Sequence, residues 1–269
     1  MAKRANQRDR RFRILDILLR WEGELSNGRL RDLLGIQVVR ASRMLSEYRN
    51  EHPDRVLWDL PTKRYQRLAT REKYGGSADD YLHLLFDEDV VPDWLVRLDT
   101  QISAVRPEVL AMLRKAIEGG TPVKIVYASM THPKGTERVI YPHGIAQAGR
   151  RWHARAWCCL RREYRDFVLG RVSRIESVET QERPEGIDED WETIVDVRLV
   201  PHRDLDHLQA LVVRNELFDG TTARRISTRG SLVPYLIQEV RASVIDSQVP
   251  PEYQIEVSNL DQISQYLFQ

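Results

Sequence analysis

Residues 151–171 read RWHARAWCCLRREYRDFVLGR, and this stretch determines the central part of the fold. Polar and apolar residues alternate on both sides of Arg161-Arg162, which predicts strands at 151–159 and 166–172 joined by a turn. The same alternation predicts strands at 123–128 and 139–140. Further turn signals lie at Pro133, Pro142 and Gly149. Four or five short antiparallel strands of this kind predict a small curled sheet or barrel.

The strand predicted at 151–159 combines two chemically different faces. Arg151, His153 and Arg155 share one face, because successive side chains of a strand point to opposite sides. Trp152 falls on the other face and, with Phe167, is expected in the core. Arginine supplies the paired donors that phosphate or carboxylate groups need, and tyrosine or histidine rings can stack on bases. The candidate ligand-binding residues are Tyr127, Ser129, His143, Arg151, His153, Arg155, Arg165 and Arg171.

Ion pairing is the alternative interpretation for two arginines of this region. Arg138 and Arg165 could pair at the surface with Glu137, Glu163 or Asp166. Exposed pairs of this kind contribute little to stability. The two interpretations therefore differ in whether the guanidinium groups remain available to a ligand.

The N-terminal residues 1–73 carry the pattern of a winged helix-turn-helix domain. Apolar residues, Trp21 included, form one broad face of a helix at 11–22, and Ser26 or Asn27 can cap a second helix. Gly35 ends that helix, and a third is predicted at 37–50. Two strand-like runs, 56–60 and 63–68, then predict a hairpin that serves as the wing.

The third helix is predicted to contact DNA bases with its N-terminal half. Val38 is expected to pack inward, while glutamine and arginine near the helix start match the edges of adenine and guanine in the major groove. Lys63 and Arg64 at the hairpin tip suit phosphates. The alternative is a merely solvated helix face. The candidate DNA-binding residues are Gln37, Val39, Arg40, Arg43, Lys63 and Arg64.

Charge is strongly segregated along the 269 residues, although the net charge is only +1. The sequence carries local charges of +8 over residues 1–73, −5 over 74–120, +6 over 121–180 and −8 over 181–269. Clustered positive charge is typical of polyanion binding, because neutralised phosphates release counterions. Two basic modules separated by acidic ones predict local recognition of nucleic acid.

The acidic segments are assigned connecting and pairing roles. Residues 74–120 are interpreted as a helical linker, and 193–269 as an α+β module with alternating strands and helices. Since the −8 balance makes this module a poor DNA binder, dimerisation is its expected role. A homodimer would present two recognition helices to a palindromic double-stranded operator.

Several functional classes are not supported by the sequence. Adjacent Cys158 and Cys159 fit a reducing cytoplasm, and neither a membrane span nor a secretion signal is expected. Three histidines in the central module lack partners at metal-ligand spacing, so neither a metal nor another cofactor is expected. Catalytic motifs are not recognised, and the acidic run 188–192 is interpreted as a solvated loop.

The motif WHA at 152–154, followed by RDFVLGR at 165–171, resembles the core of the WYL domain. With SM at 129–130 and PH at 142–143, the wider pattern is similar to the winged-helix WYL repressors associated with bacterial anti-phage defence operons. This resemblance covers nearly the whole chain. It implies an SH3-like or Sm-like barrel at 121–182 that binds a nucleic-acid-derived or nucleotide effector and alters operator binding.

The expected function is therefore a sequence-specific transcriptional repressor with a built-in sensor, and not an enzyme. Two alternatives stay open. One is an activator of the same type that responds to a nucleotide, and the other is a nucleic-acid-processing enzyme that uses its helix-turn-helix for targeting.

Overall fold

The computed structural model describes residues 2–69, 74–87, 91–96, 102–179 and 186–267. The chain divides into two compact units, Met1–Leu98 and Asp99–Gln269. Within the described residues, no helix is both long and apolar enough to cross a membrane.

The first unit is a winged helix-turn-helix domain. Its helices and strands are α1 (Ala2–Glu22), β1 (Glu24–Leu25), α2 (Asn27–Leu34), α3 (Val38–Glu51), β2 (Val56–Asp59), β3 (Arg64–Arg67) and α4 (Ala78–Asp87). The strands form an antiparallel sheet in the order β1-β3-β2. The hairpin of β2 and β3 is the predicted wing, and Lys63 at its turn has a left-handed φ of 53°.

The bounds of α2 follow from two capping residues. The hydroxyl of Ser26 accepts a hydrogen bond from the Arg29 N–H at 3.0 Å, which satisfies one of the free donors at the helix start. Gly35 ends the helix with a φ of 59°, a conformation that glycine adopts without strain. The next helix, α3, begins three residues later, so the predicted helix-turn-helix is confirmed.

The core of this unit differs from the sequence prediction at two positions. Buried leucines of α1 and α2 pack with Leu45 and Tyr48 of α3, as predicted. Trp21 and Val38 were expected inside, but they are 40% and 48% exposed. Helix α4 joins the same core through Leu85, so the first part of the predicted linker packs with this unit.

The second unit begins with a helix and a five-stranded antiparallel sheet. These elements are α5 (Pro107–Gly119), β4 (Val123–Tyr127), β5 (Thr136–Ala148), β6 (Arg151–Cys158), β7 (Glu163–Val168) and β8 (Val172–Ser177), with a 3-10 turn at Leu169–Arg171. The strand order is β7-β6-β5-β4-β8, so β7 and β8 are open edges and the expected barrel is not closed. Helix α5, from the end of the predicted linker, packs on this sheet through Val109 and Leu113.

Strand β5 is much longer than the two residues predicted. It continues through Pro142, which was interpreted as a turn signal. The pairing of β5 with β6 shifts register between Pro142 and Gly144, so the proline lies at an irregularity where a missing N–H is tolerated.

The C-terminal part is a mixed domain that agrees in outline with the predicted α+β module. Its elements are α6 (Glu189–Glu192), β9 (Ile194–Pro201), α7 (His207–Leu217), β10 (Arg224–Arg229), α8 (Val233–Val240), β11 (Ala242–Ser243), β12 (Ile255–Val257) and α9 (Leu260–Ile263). The strand order is β10-β9-β12-β11. Helix α7 leaves Leu208, Leu211 and Val212 between 42% and 71% exposed, an unusually apolar surface for one helix.

Candidate ligand groove and nucleic-acid interface

A groove of about 650 Å³ lies between the β4–β8 sheet and the C-terminal domain. Four arginines line it: Arg138, Arg155, Arg161 and Arg165. The aromatic residues along it are Tyr127, Tyr164, Phe167, Tyr235 and Tyr266. Cations beside flat aromatic rings suit a ligand that carries both phosphate and base.

The structure separates the eight predicted ligand residues into three groups. Tyr127, Ser129, Arg155 and Arg165 line the groove. His143 lines a second cavity of about 250 Å³ together with Trp157 and Asp188. The remaining three, Arg151, His153 and Arg171, line neither space.

Arg155 on β6 is buried and held by carboxylates of its own chain. Its Nε donates to Asp188 Oδ2 at 2.6 Å and its Nη2 donates to Asp188 Oδ1 at 3.0 Å. Nη1 lies 3.4 Å from Asp166 Oδ1. Burial alone would lower the pKa of Arg155, but the hydrogen bonds and charges of Asp188 and Asp166 outweigh it, so the pKa is raised. Arg155 is therefore already neutralised within the protein.

The interpretation of residues 188–192 as a solvated loop is wrong for Asp188. Its side chain is only 4% exposed, and besides Arg155 it contacts His143 Nε2 at 3.1 Å. Burial tends to raise the pKa of Asp188, but hydrogen bonds from His143 and Arg155 lower it to about 2. The other three acidic residues of the run are exposed, with the side chains of Asp190 and Glu192 at 58% and 59%, as expected of a surface turn.

His153 and Tyr127 are buried, and each packs against another aromatic ring. The His153 ring is 4% exposed, lies 4.6 Å from the Tyr235 ring of α8, and its nitrogens have no hydrogen-bond partner among the described residues. Burial lowers the pKa of His153, with Asp166 partly opposing it, so the neutral form of the ring is favoured. Tyr127 packs edge-to-face on Phe167 at 5.1 Å, and its hydroxyl accepts from the Val168 N–H at 3.3 Å.

Arg138 is a buried groove residue that the candidate set omitted. It is 8% exposed, and its partners are neutral: Thr136 Oγ1 at 3.2 Å and Cys158 Sγ at 3.8 Å. In the described part of the chain no carboxylate lies within ion-pair distance of it, whereas Arg165 pairs with Glu163 at 3.2 Å. The sequence spacing could have indicated that Arg138 is buried, because Arg138 lies two residues before Ile140 and shares the buried face of β5 with it.

Helix α3 presents a continuous exposed surface at its start. Gln37 caps the helix, and Val39, which is 76% exposed, is followed by the exposed Arg40. The Arg43 side chain is 80% exposed and contacts Glu47 at 2.7 Å. Two hydrogen bonds from the Asn27 amide, to the Val38 carbonyl at 3.2 Å and to the Ser42 hydroxyl at 2.8 Å, fix α3 against α2.

The wing contributes less positive charge than predicted. Lys63 is exposed at the turn, but the Arg64 guanidinium contacts the carboxylate of Glu24. Both side chains of that pair remain partly exposed, at 49% and 37%. Lys63 is therefore the better candidate for a phosphate contact.

Three family models match consecutive parts of the chain. Residues 7–87 match the BrxR transcriptional regulator winged helix-turn-helix domain, 108–179 match the WYL domain, and 194–263 match the BrxR transcriptional regulator C-terminal dimerization domain. The fold and these matches define a transcriptional regulator with a winged helix, a WYL domain and a dimerization domain.

Relatives that match along nearly the whole chain identify the family within this class of regulators. The chain is 30% identical over 278 residues to the DNA-binding transcriptional repressor CapW of Escherichia coli (strain KTE188), covering 95% of this chain and 90% of the relative. It is 28% identical to the CapW repressor of Pseudomonas aeruginosa over 95% of this chain and 90% of that protein. The chain belongs to the CapW family of DNA-binding transcriptional repressors.

A solved structure gives a weaker similarity. Proteasome accessory factor B/C (PafBC) of Arthrobacter aurescens matches 97% of this chain with 18% identity and a TM-score of 0.26. The chain spans 47% of the length of that protein. Similarity at this level supports no conclusion about the fold or the site.

Proposed function

We propose that this protein is a homodimeric repressor of a bacterial anti-phage defence operon, and that its groove binds a nucleic-acid-derived effector which weakens operator binding. Its role is regulatory and not catalytic, and it acts in the cytoplasm, where operator DNA is found. The family of the chain supports the repressor function. The ligand-sensing part depends on the groove.

The buried guanidinium of Arg138 is the observation that carries the effector hypothesis. Taking a cation out of water without a counter-ion is costly, so such groups are normally paired. Arg138 faces the groove with two weak neutral partners, while Arg161 and Arg165 line the same space. A phosphate placed there would supply the missing negative charge and accept forked hydrogen bonds from Arg138.

Ring stacking and a polar loop complete this site. Tyr164 and Tyr235 line the groove and offer faces or edges to a base. The Ser129 hydroxyl, which accepts from the His132 N–H at 3.0 Å, lies at the groove beside Thr131. Together these groups suit a nucleotide or a short single strand.

Operator recognition is supported by the exposed start of α3. Val39 suits contact with a thymine methyl group, and Arg40 and Arg43 suit guanine. Lys63 suits a phosphate contact of the wing. Two such domains in a homodimer can bind half-sites one helical turn apart. The exposed apolar surface of α7 lies within the segment that matches the dimerization domain and is the proposed dimer contact.

The test is an operator-shift assay on the DNA upstream of the protein's own gene. Titration with 5′-phosphorylated oligothymidylates and with cyclic nucleotides should release the DNA for at least one of these ligands. Arg138→Gln should still bind the operator but lose the response, because it removes the unpaired charge. Arg174→Gln is the matched control, because Arg174 is exposed on β8 and does not line the groove. Operator affinity that no groove ligand alters would refute the sensing hypothesis.

A further inference from the structure

Asp188 occupies a position in which its carboxylate has the contacts of a bound phosphate. Two nitrogens of Arg155 donate to its two oxygens at 2.6 and 3.0 Å, and His143 Nε2 lies 3.1 Å from Oδ2. The Trp191 N–H also donates to Oδ1 at 3.3 Å. Forked arginine donors, a histidine and a backbone N–H are the groups with which proteins bind phosphate.

The charges around Arg155 do not balance. Its guanidinium faces Asp188 at 2.6 Å, Asp166 at 3.4 Å and Asp190 at 3.7 Å, so three carboxylates surround one cation. Burying charges is costly even when they are paired, and a surplus of carboxylates adds repulsion. Stability alone does not favour this arrangement. Arg155, Asp166 and Asp190 also line the groove, so an anion entering the groove meets this cluster.

The short helix that follows Asp188 connects the cluster to the dimerization domain. Trp191 of α6 packs against Gly144 of β5 so closely that an added Cβ would lie 2.3 Å from the indole ring. The Arg229 guanidinium lies 4.6 Å from the same ring and donates to the Trp191 carbonyl. Strand β9 starts two residues after α6 ends. The position of Asp188 therefore fixes the start of the dimerization domain on the sheet.

We propose that Asp188 is a built-in competitor for the effector: the carboxylate occupies Arg155 and His143 until a phosphate group in the groove displaces it and releases α6. The proposal rests on the proposed function, because it requires a phosphate-bearing ligand in the groove. Arg138 then provides the first, unoccupied phosphate contact, and Arg155 provides a second contact that opens only when Asp188 leaves. Release of α6 transmits binding to the dimerization domain.

The experiment measures binding of a fluorescent, 5′-phosphorylated oligothymidylate to the full-length dimer. Asp188→Asn keeps the shape of the side chain and removes its charge, so Arg155 becomes available and affinity should rise on the order of tenfold. Glu189→Gln is the matched control, because it removes the same charge from an exposed side chain of α6 that does not line the groove. The affinity of this control variant for the oligothymidylate should change by less than about twofold.

Hydrogen exchange in the wild-type protein gives a second measurement that needs no variant. The N–H groups of Trp191 and Glu192 donate to the Asp188 carbonyl at 3.0 and 2.9 Å, so they should exchange faster when the oligothymidylate is bound. If the probe binds and neither Asp188→Asn affinity nor this exchange changes, the competitor proposal is wrong while the groove function stands. If the probe binds neither the wild-type protein nor Asp188→Asn, both are wrong.

Discussion

Replacing Arg155 by methionine should strongly destabilise the second unit. Methionine fills much of the same space but leaves Asp188, whose side chain is 4% exposed, without its bidentate partner. Removing one member of a buried ion pair costs about 3–5 kcal/mol. We expect a value of about 3 kcal/mol, at the lower end of that range, because His143 still contacts the carboxylate at 3.1 Å.

This cost corresponds to a measurable change in thermal unfolding. For a domain of this size, 1 kcal/mol lowers Tm by about 2–4 °C, so the transition of the second unit should fall by about 6–12 °C. Differential scanning calorimetry at neutral pH can follow that transition separately from that of the winged helix. Arg165→Met is the control, because its pair with Glu163 is about half exposed and contributes at most about 1 kcal/mol.

A double variant identifies the cause of the loss. Arg155→Met combined with Asp188→Asn removes both charges, so it should be more stable than Arg155→Met alone even though it carries two substitutions. Strictly additive losses would mean that packing of the Arg155 side chain, and not the uncompensated carboxylate, is responsible. A cost no greater than that of Arg165→Met would refute the reasoning altogether.

Three further outcomes are expected. Arg40→Ala combined with Arg43→Ala should weaken operator binding by about 1–3 kcal/mol for each lost base contact, and unchanged anisotropy titrations at fixed salt would contradict this. Because burial lowers the pKa of His153, its neutral form contributes stability above pH ~6.5 that is lost as the pH falls further, so His153→Phe should flatten that part of the pH dependence of the urea midpoint. Leu208→Glu combined with Val212→Glu should produce monomers in analytical ultracentrifugation, because a charge would enter each copy of an apolar interface; persistent dimers would exclude α7 as the contact.

Local signals explain why the helix-turn-helix could be predicted from the sequence. Ser26 and Gly35 determine the ends of α2 through hydrogen bonds and backbone conformation within a few residues. Leucine spacing then assigns the buried face of each helix. Val38 was misassigned because it lies in the first turn of α3, where the helix already extends beyond the core.

The length of β5 depended on information that a single sequence pattern does not contain. Pro142 lacks an N–H and therefore resembles a strand end. In the sheet it coincides with the register shift beside Gly144, where the ladder is already irregular. Only the neighbouring strand determines whether such a proline ends a strand or sits in a bulge.

Alternation identified the two faces of β6 but not what covers them. Arg155 and His153 were correctly placed opposite the core-facing Ala154. Their face is covered by Asp188 and Tyr235, which lie 33 residues after Arg155 and 82 residues after His153 in the sequence. Contacts at that separation follow from the path of the chain across the sheet, so the sequence pattern of β6 could not predict these internal partners of Arg155 and His153.

Contacts between residues far apart in the sequence also limit what the distribution of charge along the chain can predict. The +6 net charge of residues 121–180 was interpreted as a sign of polyanion binding. Arg155, however, forms an ion pair with Asp188, which lies in the acidic segment that follows. The cations of a basic segment that meet no carboxylate of their own chain are the ones open to a phosphate without a competing group. By that criterion Arg138 carries the prediction, because its guanidinium is buried and its partners are a hydroxyl and a thiol. The net charge along the sequence therefore indicates which module binds a phosphate group. The ion pairs in the folded chain then indicate which of its arginines is available for that contact.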